Sequence, residues 1–174
     1  MTDAFTDLAR RVSERCRLTG NFTLRSGQPA TTYFDKYLFE GDPAILRDVA
    51  EQLIPLIPAG TEALAGLELG GVPVATALSL ASGLPAAFVR KEAKRYGTEK
   101  LAEGANIVGR QVLVVEDVIT TGGQVVLSAG DLRDLGANVD HVLCVIDRSE
   151  GDHPRLDAIA VRMHCLFRGS DLVH

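Results

Sequence analysis

Two unbroken apolar runs, 112–115 and 142–146, constrain this chain more than any other feature. A strand with one face in water alternates polar and apolar residues. A strand that is apolar on both alternations must be covered on both faces. The runs belong to expected strands over 111–116 and 139–146, and 124–135 between them reads as a helix closed by Gly136. The same alternation appears upstream, with strand 63–69, helix 72–82 and strand 86–90, and downstream with a last strand over 161–167. Strands and helices in turn imply the α/β class, a central, mostly parallel sheet flanked by helices. The 174 residues are enough for a single domain, 1–174. Ligands of such sheets sit beyond the carboxyl ends of the strands, which directs attention to 68–71, 90–97, 116–123 and 147–151.

The first 60 residues follow a different pattern. Residues 3–18 read as an amphipathic helix, with Phe5, Leu8, Val12 and Cys16 on its period. Residues 21–40 alternate and are rich in Thr, Phe and Tyr, which predicts short strands around the turn 26–29. Asp42-Pro43 is a helix start, and Ile45, Leu46, Val49, Leu53 and Ile57 make its buried face. Residues 69–89 carry no charge, about a membrane span in length, but Gly83-Leu84-Pro85 splits them into a helix-like and a strand-like piece. They are expected in the core.

Lys and Arg total 18 against 23 Asp and Glu, a net charge of −5. That balance disfavours general binding to nucleic acid or to an anionic membrane. Cys16, Cys144 and Cys165 lie far apart with no CxxC pair, against a disulfide scaffold or a structural zinc site. With charges spread through 1–18 in place of an apolar leader, a reducing, cytoplasmic setting is expected.

The chemistry concentrates in 112–124, Val-Leu-Val-Val-Glu-Asp-Val-Ile-Thr-Thr-Gly-Gly-Gln. An apolar strand ends in two carboxylates, and a loop of hydroxyls and glycines then opens a helix. Gly122 and Gly123 allow close approach of a ligand to the backbone. The free N–H groups of a helix start attract phosphate. Glu116 and Asp117 beside such a site would repel a bare phosphate, but they suit a ligand that also offers hydroxyls or a bridging Mg2+. A sugar phosphate satisfies both halves. The plainer reading is a strand end and a helix cap, which leaves the Thr-Thr-Gly-Gly sequence unexplained.

This segment resembles the phosphoribosyl-pyrophosphate (PRPP) motif of the type I phosphoribosyltransferases. Residues 22–27 (Phe-Thr-Leu-Arg-Ser-Gly), 89–94 (Val-Arg-Lys-Glu-Ala-Lys) and 146–148 (Ile-Asp-Arg) fall in the order and spacing of the orotate branch of that family. The resemblance covers roughly 20–150. It implies the type I fold, with residues 1–40 forming a small hood over the base site. It also implies transfer of the phosphoribosyl group from PRPP to orotate, with Mg2+ as cofactor.

Site residues carry over by position. Lys91, Lys94 and Asp117 stand at catalytic positions. Arg25, Arg90, Lys91, Lys94, Tyr96, Glu116, Asp117, Val118, Ile119, Thr120, Thr121, Gly122, Gly123 and Gln124 stand at PRPP positions. Tyr33, Phe34, Thr120 and Arg148 stand at orotate positions. Mg2+ would be held mainly through PRPP, with Glu116 and Asp117 reaching it through water. The basic run Arg90, Lys91, Lys94, Arg95 and Lys100 reads either as a solvated loop or as a lid over pyrophosphate. In the family this loop, 90–104 here, enters the neighbouring subunit's site, which implies a homodimer. Arg148 reads either as a surface ion pair with Asp147 or Glu150 or as a planar partner for the orotate carboxylate. Tyr33 and Phe34 read equally as strand core.

Several positions depart from the family. Tyr96 stands for the usual His, Arg25 for Lys, Asp35 for a second aromatic, and the expected pyrophosphate loop 66–71 has no Lys. These keep three alternatives open: a phosphoribosyltransferase for another base, a regulatory relative that binds nucleotide, and a catalytically weak paralogue. The four histidines show no ligand spacing.

Overall fold

The computed structural model describes residues 3–24, 26–92, 100–149 and 151–172. The expected site residues Arg25, Lys94 and Tyr96, with Arg95 of the basic run, lie outside the described residues. Helix α1 (Asp3–Cys16) leads into a two-stranded antiparallel sheet, β1 (Arg17–Thr23) and β2 (Pro29–Phe34). Helices α2 (Tyr37–Glu40) and α3 (Pro43–Leu53) follow. The main unit then runs β3 (Ala63–Leu67), α4 (Gly71–Ser82), β4 (Ala86–Val89), β5 (Ala102–Gly104), β6 (Gln111–Ile119), α5 (Gly123–Asp134), β7 (Asn138–Asp147), α6 (Pro154–Asp157) and β8 (Arg162–Arg168).

The main sheet has the order β5-β4-β3-β6-β7-β8, parallel except where β5 meets β4. Its connections run outward from β3 and β6, so these two central strands flank the switch point where such sheets bind ligands. Alternate residues feed two cores. Leu64, Leu113, Val115, Leu143 and Val145 pack with α1, α3 and α4. Ala63, Ala65, Val112, Val114 and Val142 pack on the other face with α5 and α6. The doubly covered runs thus sit in a doubly covered sheet.

Local chemistry sets the boundaries. The Asp42 side chain accepts from Ala44 N at 3.0 Å and Ile45 N at 3.2 Å, with Pro43 at the first helical position; such a cap is worth ~1 kcal/mol. Gly83 closes α4 at φ +77°, a left-handed turn that favours glycine. A Cβ built on Gly66 would lie 2.6 Å from Gly71 O and 2.7 Å from Ala75 Cβ, so α4 rests directly on the backbone of β3.

Four details differ from the sequence reading. Helix α1 stops at Cys16, because Arg17 and Leu18 pair with Phe34 and Tyr33. Residues 37–40 form helix α2, which buries Phe39 and Glu40. Only β1 and β2 stand apart as a hood, since α1 is built into the main core through Leu8, Val12 and Cys16. Strand β6 continues through both carboxylates to Ile119. Among the described residues no helix is long and apolar enough to cross a membrane, and the three cysteines are free.

Candidate functional site

Strand β6 carries the site outward from the core. Glu116 and Asp117 lie near its end, with Asp117 N donating to Glu116 Oε1 at 3.2 Å, and the turn Thr120–Gly122 leads into α5. Asp117 is fully buried. Its Oδ1 accepts from Val118 N at 2.6 Å, and its Oδ2 lies 2.5 Å from Lys36 Nζ. Glu40 is buried beside it, with Oε1 lacking a hydrogen-bond partner among the described residues. A Cβ on Gly70 would overlap Asp117 Oδ2 and come within 3.0 Å of Glu40 Oε1. Only glycine therefore lets the start of α4 approach this cluster.

The protonation states follow from that crowding. Burial, reinforced by Asp117, pushes Glu116 up to about 9. The same two causes push Glu40 up to about 9. Asp117 is held below its ordinary value: burial acts to raise it, but the adjacent Glu116 and Glu40 carboxyls and the Lys36 ammonium outweigh burial. Burial acts to lower Lys36, and its contact with Asp117 more than reverses this. Burial and the neighbouring acids thus favour the protonated forms of Glu116 and Glu40, while the Lys36 contact favours the charged forms of Asp117 and Lys36.

The turn beyond has the opposite character. Thr120 and Thr121 are exposed, and residues 118–124 carry no charge. They bound a hollow of about 310 Å³. Gly122 has φ +71°, and a Cβ there would lie 3.2 Å from the Leu156 side chain of α6. Gly122 is thus covered by α6, while the exposed Thr120 and Thr121 flank the free N–H groups that begin α5, a pattern suited to anions. Gln124 turns back to Ser128 Oγ at 3.2 Å.

The base side is a crevice of about 480 Å³ between the hood and the main sheet. Arg17, Leu24, Thr32, Tyr33, Phe34 and Arg148 line it. The Arg148 guanidinium lies 5.9 Å from the Phe34 ring centroid. Asp147 gives Arg148 no ion pair, because its carboxylate accepts from Ser149 N at 2.8 Å and faces His153 Nε2 at 3.2 Å. Arg148 N donates to Ile119 O at 2.8 Å, which fixes this loop to the end of β6 just before the turn 120–122. Tyr33 is partly exposed and its ring stacks at 5.5 Å on Phe22.

The structure thus gathers Tyr33, Phe34, Glu116, Asp117, 118–124 and Arg148 at one end of the sheet. Arg90 ends β4 with a buried Nε that lacks a partner among the described residues, and Lys91 is exposed. Because β5 pairs with β4 and Arg90 N donates to Leu101 O at 2.9 Å, the 90–104 loop is fixed at its far end. The sequence reading missed Lys36 and Glu40. Their i,i+4 spacing was the available signal, hidden by the expectation of a strand there. No group of three or more metal-ligating side chains among the described residues is arranged to hold a metal ion. The oxygen donors of Glu116 and Asp117 nevertheless suit a hard cation bound chiefly to a ligand's own oxygens.

Comparison with known proteins agrees with this geometry. The family described as phosphoribosyl transferase domain matches residues 42–166. An orotate phosphoribosyltransferase of Nocardioides sp. is 59% identical over 151 residues, covering 86% of this chain and 84% of that protein. The Mycobacterium tuberculosis orotate phosphoribosyltransferase in complex with Fe(III) dicitrate superposes with TM-score 0.88 at 31% identity, covering 98% of this chain and 99% of that one. The same enzyme in complex with PRPP gives TM-score 0.83 at 29% identity, covering 97% of this chain and 98% of that one.

Proposed function

The chain belongs to the orotate phosphoribosyltransferase family, and from that premise we propose how its residues divide the work. It transfers the 5-phosphoribosyl group of PRPP to orotate, giving orotidine 5′-monophosphate and pyrophosphate in pyrimidine biosynthesis. The turn 120–123 and the start of α5 take the 5′-phosphate. Glu116, which borders the hollow at the turn, meets the ribose hydroxyls, with Asp117 held beside it against Lys36. Orotate enters the hood crevice beside Tyr33 and Phe34, with its carboxylate on Arg148. The observation that carries this reading is the bond from Arg148 N to Ile119 O, which sets the base arginine directly against the phosphate turn.

No side chain need act as nucleophile. Positive charge developing on the ribose ring is stabilised by Asp117, and the reacting groups are held in line by their anchored ends. Glu116 and Asp117 would reach through water an Mg2+ ion held mainly by PRPP, and that ion would supply neutralisation of the leaving group's charge. Arg90, Lys91 and Lys94 complete the pyrophosphate site, and the loop beginning at Arg90 serves the neighbouring site of a homodimer in the cytoplasm. Tyr96 and Arg25 belong to the same PRPP site. Lys94→Ala is expected to collapse turnover while the protein stays folded.

The test is direct. Purified protein is mixed with PRPP, Mg2+ and orotate, and the loss of orotate absorbance is followed, with uracil, hypoxanthine and adenine in parallel. Turnover of orotate alone supports the assignment of Arg148. Turnover of a neutral base at a similar rate would refute it.

A further inference from the structure

The phosphate turn lacks a cation of its own. Residues 118–124 carry no charge, Glu116 and Asp117 precede them, and a phosphate monoester brings close to two negative charges. The start of α5 offsets only about half a charge. The missing charge comes from α6. A Cβ built on Gly123 would lie 3.2 Å from Arg155 Nη1 and 3.7 Å from Thr121 Oγ1. The guanidinium therefore occupies the space above Gly123 that a larger side chain would fill, on the same side as the Thr121 hydroxyl.

Arg155 is held there from both ends. Behind it, Leu156 is fully buried and packs over Gly122. Ahead of it, His153 faces both Ser149 Oγ at 3.0 Å and Asp147 Oδ2 at 3.2 Å. The guanidinium itself is exposed and makes no hydrogen bond or ion pair with a described residue. A cation beside this turn with no partner among the described residues is available to an anion bound there.

We infer that Arg155 is a specificity-determining residue of the phosphate subsite, closing over the 5′-phosphate of PRPP and of the nucleotide product from the α6 side. The inference rests on the reading of 120–123 as the 5′-phosphate site. It adds that this chain discriminates phosphorylated from unphosphorylated ligands through a residue outside the turn.

The test compares wild type, Arg155→Ala and Arg155→Lys for binding of orotidine 5′-monophosphate and of orotidine, which lacks the phosphate. Removing one charge-assisted hydrogen bond should weaken nucleotide binding about tenfold in Arg155→Ala. Orotidine binding should stay within about twofold of wild type, the KM for PRPP should rise with kcat little changed, and Arg155→Lys should recover part of the loss. The apo melting temperature should not move, because Leu156 anchors α6. Nucleotide binding unchanged in Arg155→Ala would overturn the inference. So would an equal loss of orotidine, which would mark Arg155 as a support for the fold. A wild-type protein that discriminates neither ligand would instead remove the phosphate-site reading itself.

Discussion

Two neighbouring turns of this sheet share a Gly-Gly helix start but differ in backbone conformation, with Gly70 at φ −66° and Gly122 at φ +71°, and in electrostatics. Strands β3 and β6 lie side by side and parallel, and each is followed by a helix opening at a Gly-Gly pair, Gly70-Gly71 and Gly122-Gly123. At the first, the glycine is walled by the carboxyls of Asp117 and Glu40. At the second, it is covered by the Arg155 guanidinium. A helix start attracts anions in either place. At α4 the carboxyls of Asp117 and Glu40 crowd the helix start, whereas at α5 it lies beside the exposed Thr120 and Thr121. The glycines tell where a backbone can be approached closely, and the surrounding side chains decide by what.

The comparison can be broken by adding one methyl group at a time. Gly71→Ala should have the largest effect, because its Cβ would overlap the Val115 carbonyl oxygen, which is backbone and cannot swing away. A loss of ~3 kcal/mol is expected, read as a lower midpoint in urea. Gly70→Ala should leave a folded protein but displace Asp117, lowering kcat by about 100-fold. If it leaves kcat unchanged, the position of Asp117 does not matter to the reaction.

Glu40→Gln tests the carboxyl side by pH. Folded Glu40 keeps its proton up to about 9, against an ordinary value of 4.5. Between these values the native state binds a proton that the unfolded chain does not, so stability falls as pH rises through the window. The Gln variant lacks this loss. Its stability relative to wild type should improve by ~1–3 kcal/mol between pH 5 and pH 8, measured by urea denaturation. Parallel curves would show that Glu40 is ionised like an exposed acid.

Gly123→Ala should have the smallest effect, since its Cβ would meet only the flexible end of Arg155 at 3.2 Å. The KM for PRPP should change by about twofold and the melting temperature not at all.

The doubly apolar runs in β6 and β7 announced a covered parallel sheet, and Glu116, Asp117 and the 120–123 turn pointed to the end of β6 where the structure places them together, because each is a local pattern. Where the reading failed, a tertiary contact had overridden local preference. Two acids inside β6 look like a strand end, yet the strand continues because Val118 and Ile119 stay paired with Ile146 and Asp147 of β7, with Asp117 held against Lys36. Residues 37–40 alternate like a strand, but burying Phe39 and Glu40 together requires a helical turn. Helix α6 is four residues long, too short for a period, so nothing in the sequence placed Arg155 beside Gly123.

The division between the two turns is tested most directly by binding with and without Mg2+. In the proposed reading, orotidine 5′-monophosphate uses the α5 turn and the hood crevice, while PRPP also brings pyrophosphate beside the carboxyl-walled α4 turn. Measured by calorimetry with Mg2+ or with EDTA, the nucleotide's Kd should change by less than about twofold, whereas PRPP should bind at least about tenfold more weakly in EDTA. Equal PRPP affinity in both conditions, or a matching loss for the nucleotide, would contradict the account.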